Sequence, residues 1–450
     1  MAETAARLKR ELNLRDVVLF NVAALVSTRW VGTAAHAGSG SLTLWVLAAA
    51  FFLIPSGVAV AHLSQRFPEE GGFYVWTREA FGEWHAYVAG WFYYINNLFW
   101  IPGVLVATVS MIASSYAGLA KFAESPAFVL PIAFALLIVI VISNYVGLRV
   151  GKWVDNVGGL GGYTIWLCLV AAGVAVSLKR GPATHPQISP NWDWQRINFW
   201  SQMAFGMTGL ELSPILSGEM KDPRRTIFRA TWISAFLVTL FYLFGTASIL
   251  AILPPDRVSP VIGLTQSGVQ AAHDIGWTWL PVVISSAIVI SLAGQIGTYV
   301  GGCARLPFVI GISNLLPPVF AKLHPRYKTP YVSILILGVG AGVLLAISQL
   351  GETFRAAYQV TVDLTVITLF IPFLYIFASA WKFGQRLSAA LGLGVSALAI
   401  AVSFVPTEDV RSVWAFELKL VGGCVILFVI ARYFFRRYRQ TTKYDGLPHL

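Results

Sequence analysis

Residues 16–40 read DVVLFNVAALVSTRWVGTAAHAGSG, and residues 199–219 read FWSQMAFGMTGLELSPILSGE. Each stretch is largely apolar and is interrupted near its middle by small, polar and charged residues. An α-helix needs about 20 residues to cross the hydrocarbon core of a bilayer, which is roughly 30 Å thick. Each stretch is therefore long enough to span a membrane, but its polar middle favours a helix that unwinds there. The two stretches predict a matched pair of broken membrane helices.

The rest of the chain is also strongly apolar. Of its 450 residues, 56% are hydrophobic and 12% are charged, whereas a soluble domain carries about 25% charged residues. The sequence lacks the alternating ten-residue segments that are typical of a membrane β-barrel. We therefore predict an all-α integral membrane protein with 12 transmembrane helices, including the two broken ones. The ten other predicted spans are residues 42–65, 84–117, 128–146, 157–178, 228–253, 278–303, 331–347, 354–381, 389–405 and 413–435.

The net charge of +11 reflects how the protein is oriented in the membrane. With 12 spans, 23 of the 32 Lys and Arg residues fall in the termini, in the loops on the same side or in the adjoining ends of spans, and 8 fall on the opposite side by the same count. An excess of Lys and Arg marks cytoplasmic loops. We therefore expect a multi-pass protein of the cell membrane, with an N-terminus (residues 1–15) and a tail (residues 436–450) in the cytoplasm. Nucleic acid is not an expected partner.

The two broken stretches occupy corresponding places in the chain. If the first ten spans are divided into residues 16–178 and residues 199–381, each half begins with a broken helix, and residues 389–435 add two helices. Matched broken helices are typical of a fold built from inverted repeats. An unwound helix exposes N–H groups that attract an anion and C=O groups that attract a cation. An α-amino acid carries both charges and fits this pair of breaks.

Short motifs around these spans resemble those of a known family. Residues 205–211 (FGMTGLE) match the aromatic-x-x-x-Gly-x-Glu pattern of that family's broken sixth helix, and residues 218–226 (GEMKDPRRT) match the loop that follows it. Residues 67–74 (FPEEGGFY) match the loop after the second helix. Arg305, together with residues 314–325 (NLLPPVFAKLHP), matches the loop after the eighth helix. In this order the motifs resemble the amino acid–polyamine–organocation (APC) superfamily, which includes amino acid permeases and antiporters.

This resemblance implies a LeuT-like fold, a five-plus-five inverted repeat with broken helices 1 and 6 and two extra helices. It also implies a secondary transporter. The sequence departs from the family pattern at two places. Ser27-Thr28-Arg29 replaces the usual Gly-Ser-Gly-like break of the first helix, which argues against the usual pose of a bound carboxylate. Residues 157–163 lack the Lys that some proton-coupled relatives carry in the fifth helix, so coupling through that residue is excluded.

Arg29 is the most informative single residue of the first break. An Arg at the bilayer centre costs roughly 2.5–3.5 kcal/mol, so we expect it to face a cavity or a charged partner. It could bind a carboxylate or close a gate, or it could form a structural ion pair with Glu211 or Asp363. Phe205 and Tyr299 are predicted to bind substrate because they match substrate-covering aromatic residues of the family. The full set of predicted substrate-binding residues is Val26, Ser27, Thr28, Arg29, Asn97, Phe205, Gly206, Met207, Thr208, Gly209 and Tyr299.

Two acidic residues are predicted to form a charge cluster with Arg29. Glu211 lies in the sixth span and Asp363 in the tenth, so the cluster would carry one excess negative charge. Either one carboxyl is protonated or a substrate ammonium balances the charge, and both interpretations predict transport that depends on pH. The predicted cytoplasmic gate residues, at the mouth of the pathway, are Glu69, Lys221, Asp222 and Arg224.

These features predict a carrier of amino acids that works by proton symport or by exchange, with alternating access around the two breaks. A polyamine or amine carrier is the nearest alternative, and a channel or a non-transporting membrane sensor on the same scaffold is another. The sequence shows no catalytic, metal or cofactor motif, so an enzyme is not expected. The expected partners are a small-molecule substrate, the lipid bilayer and, for coupling, protons, and the protein is expected to be a monomer or a homodimer.

Overall fold

The computed structural model describes residues 12–146, 148–185, 194–347, 354–405 and 413–444. Within these ranges the chain forms helices and turns without a β-strand, and one isolated bridge pairs Leu12 with Met220. The α-helices are α1 Leu14–Leu25, α2 Thr28–His36, α3 Ser41–Ala48, α4 Ile54–Arg66, α5 Phe73–Phe81, α6 Glu83–Ser114, α7 Pro126–Val146, α8 Leu148–Arg180, α9 Trp194–Gly206, α10 Pro223–Ile252, α11 Gly263–Ile275, α12 Leu280–Cys303, α13 Arg305–Ile312, α14 Tyr331–Ile347, α15 Phe354–Lys382, α16 Arg386–Val402 and α17 Val413–Tyr444.

Eight segments of the described chain are long and apolar enough to cross a bilayer, and α1 with α2 makes a ninth if this bent pair is one span. The two shorter apolar helices α14 and α16 and the second broken stretch lie at the three remaining predicted spans. The prediction of an all-helical, multi-pass membrane protein is confirmed. The number of 12 spans and the inverted repeat stay predictions. The eight segments are Ser41–Arg66, Glu83–Ser114, Pro126–Val146, Val157–Arg180, Pro223–Ile252, Leu280–Gly311, Val362–Lys382 and Val413–Arg439.

The terminal segments are described only in part. Residues 1–11 of the predicted N-terminus and residues 445–450 of the predicted tail lie outside the described residues. The described part of that tail is helical, because α17 continues to Tyr444.

Burial differs strongly between the helices, as expected for a bundle in lipid. In the most apolar part of α6, 83% of the residues are buried, compared with 11% in α17. The side chains of Trp414 and Leu418 on α17 are almost fully exposed. An apolar face of this kind is covered by lipid in a membrane protein. α6 is therefore an inner helix of the bundle, whereas α17 lies at its edge.

The first broken stretch forms two short helices that meet at an angle of 42°. α1 ends at Leu25, the backbone is extended at Val26 and Ser27, and α2 begins at Thr28. The Ser27 side chain makes no capping hydrogen bond to α2. Backbone groups at this break therefore depend on other parts of the protein for hydrogen bonds.

The second broken stretch is unwound over a longer distance. α9 ends at Gly206, residues 207–212 are non-helical, and a 3-10 helix covers Ser213–Glu219. Gly209 has a φ of 134°, which side chains rarely adopt. A Cβ at Gly209 would also lie 3.1 Å from the side chain of Leu25. Glycine therefore allows the second break to unwind here and to pack directly on the end of α1.

A buried ion pair anchors the end of the second broken stretch. Arg305 Nη2 donates to Glu219 Oε1 over 2.6 Å, and the two side chains are 9% and 8% exposed. Arg305 also donates to the carbonyl of Gly301. The Glu70 carboxylate lies against Gly218, next to this pair. Glu70, Glu219 and Arg305, which we call the Glu219 cluster, thus connect the 3-10 helix to the start of α13 and to the loop before α5.

The Glu219 cluster predicts a pH-dependent stability. Burial raises the pKa of the Glu70 carboxyl above its ordinary value of 4.5; Arg305 opposes this rise, and Glu219 adds to it. A raised folded-state pKa contributes stability at low pH that is lost as the pH rises through that value. We therefore expect the melting temperature of Glu70→Gln, relative to the native protein, to increase between pH 4 and pH 8. Thermal unfolding in detergent measures this difference.

The matched control for this experiment is Glu69→Gln, because Glu69 is the exposed neighbour of Glu70. Its melting temperature should differ from that of the native protein by the same amount at every pH. A relative melting temperature of Glu70→Gln that falls with pH would show that the net effect of the cluster is to stabilise the charged form.

Candidate functional site

A polar cavity lies beside the first break. It is bounded by the break, by α6 and by α12, and its volume of about 20 Å³ has room for about one water molecule in this conformation. Polar and apolar side chains share its wall, as in sites for small molecules. Of the predicted substrate-binding residues, the four from Val26 to Arg29 lie on this wall. The lining residues are Val26, Ser27, Thr28, Arg29, Val104, Ala107, Thr108, Met111, Ile288, Ser291, Leu292 and Gln295.

Arg29 brings a formal positive charge to the wall of this cavity. It lies in the first turn of α2 and is 4% exposed. Its guanidinium carbon is 4.2 Å from the centre of the Trp30 ring, which favours a buried cation through its π electrons. A planar guanidinium presents several N–H donors to a carboxylate. The position and chemistry of Arg29 therefore suit an anionic group in the cavity.

Glu211 is not the ion-pair partner of Arg29. The Tyr93 hydroxyl donates to Glu211 Oε1 over 2.7 Å, and the Gly209 N–H donates to Glu211 Oε2 over 2.8 Å. No ion pair joins Glu211 and Arg29, both of which are described residues. The alternative of an Arg29–Glu211 ion pair is not realised, because the unwound backbone turns the carboxylate back toward Gly209 and toward Tyr93 on α6. Asp363 is buried on α15, and its place in a charge cluster stays a prediction.

The hydroxyl of Tyr242, on α10, touches both breaks. It accepts a hydrogen bond from Ser27 N–H over 3.1 Å. It also lies within donating distance of the carbonyls of Leu25 (2.6 Å) and Gly206 (2.9 Å). One side chain therefore provides hydrogen bonds to backbone groups of both broken helices. Tyr242 is not among the predicted site residues, because a single Tyr in an apolar span gives no recognisable signal.

Gln295, on α12, provides hydrogen bonds to the first break from the opposite helix. Its amide nitrogen donates to the carbonyl of Val26 over 3.1 Å and approaches that of Ala24 at 3.3 Å. Gln295 also lines the cavity. It is not among the predicted site residues, although a buried amide in an apolar span is a signal that could have identified it.

The seven other predicted substrate-binding residues are buried but do not line this cavity. Phe205 packs edge-to-face on Trp30 with ring centres 5.5 Å apart, so it joins the second break to α2. Tyr299 packs against Trp100, and the Asn97 amide nitrogen donates to the Tyr93 carbonyl over 2.9 Å. Five of the seven form the second break itself, whereas Asn97 lies on α6 and Tyr299 on α12; the five are Phe205, Gly206, Met207, Thr208 and Gly209.

The four predicted gate residues have exposed side chains, and within the described ranges none of them forms an ion pair. The Asp222 carboxylate instead caps α10 by accepting a hydrogen bond from Arg225 N–H. A buried ion pair close to these residues joins Arg305 to Glu219. Both of its members belong to the motifs quoted above, but their pairing depends on a contact between distant segments. The four gate residues are Glu69, Lys221, Asp222 and Arg224.

Comparison with known proteins supports the same conclusion as the motifs. An uncharacterized transporter of Legionella pneumophila is 27% identical, with 95% of this chain and 97% of that protein covered. A probable agmatine/putrescine antiporter of Lactococcus lactis is 19% identical over 96% of each chain. A branched-chain amino acid permease of Bacillus subtilis is 23% identical, with 77% of this chain and 76% of that protein covered.

The family model described as amino acid permease matches residues 12–430, which is nearly the whole chain and includes both broken stretches. The chain therefore belongs to the amino acid permease family of the APC superfamily.

Proposed function

We propose that this protein is a secondary active transporter of amino acids, which works by proton-coupled symport or by amino-acid exchange. The observation that carries this proposal is the meeting of two broken helices next to a polar cavity that contains Arg29. Membership of the amino acid permease family supports the same function. In an alternating-access cycle, the two breaks would bind the substrate and the surrounding helices would open the site to one side at a time.

The substrate carboxylate is assigned to the first break. Arg29, with the Thr28 backbone and the hydroxyls of Ser27 and Thr28, offers donors on the cavity wall beside Val26. The ammonium group is assigned to acceptors of the second break, where the backbone is free of the helical ladder between Gly206 and Ser213. Donors on one side and acceptors on the other match a zwitterion. The residues assigned to the rest of the substrate are Asn97, Phe205, Gly206, Met207, Thr208, Gly209 and Tyr299.

Glu211 is assigned to proton coupling. It is a buried carboxyl in the middle of the second break, and its two hydrogen bonds tie it to α6 and to the unwound backbone. A change in its charge would alter the contact with Tyr93 on α6, and therefore the position of the second break relative to α6. Asp363 is proposed as the second acid of this system.

An amine carrier is the second candidate function, because one relative is named as a probable agmatine/putrescine antiporter. A diamine carries no carboxylate, and the positive charge of Arg29 on the cavity wall would repel it. This electrostatic argument favours a substrate with a carboxylate. A channel and a non-transporting sensor have no comparable observation in their favour.

We propose that both termini are cytoplasmic and that the gate residues and the Glu219 cluster face the cytoplasm. The bias of Lys and Arg between the loops supports this orientation. Labelling of a C-terminal tag from outside intact cells would contradict it. A monomer or a homodimer is the proposed oligomeric state, and the mass of the purified protein in detergent measures it.

Uptake by proteoliposomes tests the proposed function directly. The purified protein is reconstituted and offered radiolabelled L-leucine, L-serine, L-glutamate, L-arginine or putrescine, with and without a pH gradient and with and without internal amino acid. We expect uptake of at least one amino acid, driven by the pH gradient or by exchange. The transporter proposal fails if a folded protein takes up none of these compounds, and uptake of putrescine alone would favour the amine carrier.

Glu211→Gln should flatten the dependence of uptake on pH. Glutamine keeps the size and the hydrogen-bonding groups of the side chain but cannot change its charge between pH 5 and pH 8. The measurement is the initial rate of uptake across this range. Glu79→Gln, at an exposed position on α5, is the control and should keep the native profile. A native pH profile in Glu211→Gln would remove Glu211 from the coupling mechanism.

Arg29→Ala should weaken the binding of substrates that carry a carboxylate. Hydrogen bonds to a charged group contribute about 1.5–3 kcal/mol, which corresponds to a rise in KM of about tenfold or more. Arg29→Lys keeps the charge but not the planar fork of donors, so its KM should lie between that of the native protein and that of Arg29→Ala. The measurement is the concentration dependence of uptake. A native KM in Arg29→Ala would make Arg29 a purely structural residue.

A further inference from the structure

We propose that Tyr242 is a positioning residue whose hydroxyl holds the two breaks together and thereby sets the affinity for substrate. The part of this inference that concerns affinity rests on the proposed function. The part that concerns the link between the breaks rests on the geometry alone. Tyr242 lies on α10, outside both broken helices, and is completely buried.

Three backbone groups converge on the Tyr242 hydroxyl oxygen. Ser27 N–H and the Leu25 carbonyl belong to the first break, and the Gly206 carbonyl belongs to the second, and all three lie within 3.1 Å of this oxygen. Inside a bilayer, backbone groups that leave a helical ladder need another partner, because water is scarce. The hydroxyl fills that need for both breaks at the same point.

The position of this hydroxyl is fixed by the packing of its ring. The Tyr242 ring stacks on Trp45 with centres 4.2 Å apart and planes inclined by 12°. The Trp45 indole N–H in turn donates to Thr246 Oγ1, one turn along α10, over 2.9 Å. A ring held between two neighbouring helices cannot follow one break away from the other. The hydroxyl therefore keeps a fixed position relative to both breaks.

The two breaks are also in direct contact with each other. A Cβ at Gly206 would lie 2.9 Å from Trp30, and a Cβ at Gly209 would lie 3.1 Å from Leu25. The three residues that bond to the hydroxyl, Leu25, Ser27 and Gly206, are all buried, which limits the access of water to them. Loss of the hydroxyl should therefore leave buried backbone groups without a partner, and the segments must shift to find one.

A hydroxyl has a single hydrogen, whereas two carbonyls lie within its reach. When it donates to the Leu25 carbonyl, the Gly206 carbonyl keeps a lone pair for another donor, and the reverse also holds. If a substrate ammonium donates to one of these carbonyls, the hydroxyl can donate to the other. Tyr242 would thus keep one backbone acceptor available at the junction of the breaks.

Tyr242→Phe tests this inference, because it removes the hydroxyl and keeps the ring that stacks on Trp45. The matched control is Tyr94→Phe. The Tyr94 hydroxyl is also buried and donates to a backbone carbonyl, that of Ser333, over 2.7 Å, but it connects α6 to α14 and touches neither break. Both variants lose one buried hydroxyl, so a general loss of stability should affect them alike.

Two quantities are measured in the native protein and in both variants. The first is amide hydrogen exchange by mass spectrometry in peptides that contain residues 24–29 or residues 204–210. We expect exchange in both peptides to be about tenfold faster in Tyr242→Phe and native-like in Tyr94→Phe. The second is the KM for whichever of L-leucine, L-serine, L-glutamate and L-arginine the native protein takes up. We expect it to rise about tenfold in Tyr242→Phe alone.

The outcomes separate the inference from the proposed function. Faster exchange in only one peptide, in neither peptide, or equally in Tyr94→Phe would overturn the link between the breaks. Faster exchange in both peptides with an unchanged KM would overturn the role in affinity. Absence of uptake by the native protein would refute the proposed function, and the exchange measurement would still decide on the link.

Thr246→Val provides a second test if Tyr242→Phe does not fold. This nearly isosteric change removes the acceptor of the Trp45 N–H and loosens the stack that holds the Tyr242 ring. We expect exchange in both peptides to increase about threefold, a smaller effect because the hydroxyl is still present. Native-like exchange in both peptides would contradict the inference.

Discussion

A helix that breaks inside a bilayer exposes backbone N–H and C=O groups where lipid offers no hydrogen bonds. In this protein side chains bind the groups at the two breaks. The Tyr242 hydroxyl bonds to backbone of both breaks, Gln295 bonds to carbonyls of the first, and the Glu211 carboxylate, within the second break, accepts from the backbone of Gly209. The surrounding bundle, which supplies Tyr242 and Gln295, thereby stabilises the broken helices.

The buried charges follow the same constraint but are neutralised in different ways. Arg305 and Glu219 form a close ion pair at the end of the second broken stretch. Glu211 is held by a hydroxyl and an N–H, and Arg29 lies on the wall of a cavity beside an aromatic ring. An ion pair in which each charge balances the other suits a structural role. A carboxylate held by neutral donors, and a cation next to a cavity, are better placed to respond to a proton or a ligand.

Much of the fold could be predicted from the sequence, because hydrophobic length and broken periodicity are local properties. The break at Ser27 and the unwinding after Gly206 lie where small and polar residues interrupt the apolar pattern. The candidate site was predicted less completely. Arg29 lines a cavity, which is one of the two expected environments, and the alternative of an ion pair with Glu211 is not realised. The direction of an unwound backbone decides where a carboxylate points, and no local pattern encodes that direction.

The sequence by itself determined that this is a multi-pass helical membrane protein, that two of its apolar stretches are interrupted, and which family its motifs belong to. Each of these properties depends on residues that are close together in the chain. The tertiary structure alone decided which side chains form hydrogen bonds or ion pairs with the broken stretches. Tyr242 is separated from Ser27 by 215 residues, and Arg305 from Glu219 by 86. Such pairs are selected by the packing of helices in three dimensions, because only that packing brings a hydroxyl or a charge to an unsatisfied group.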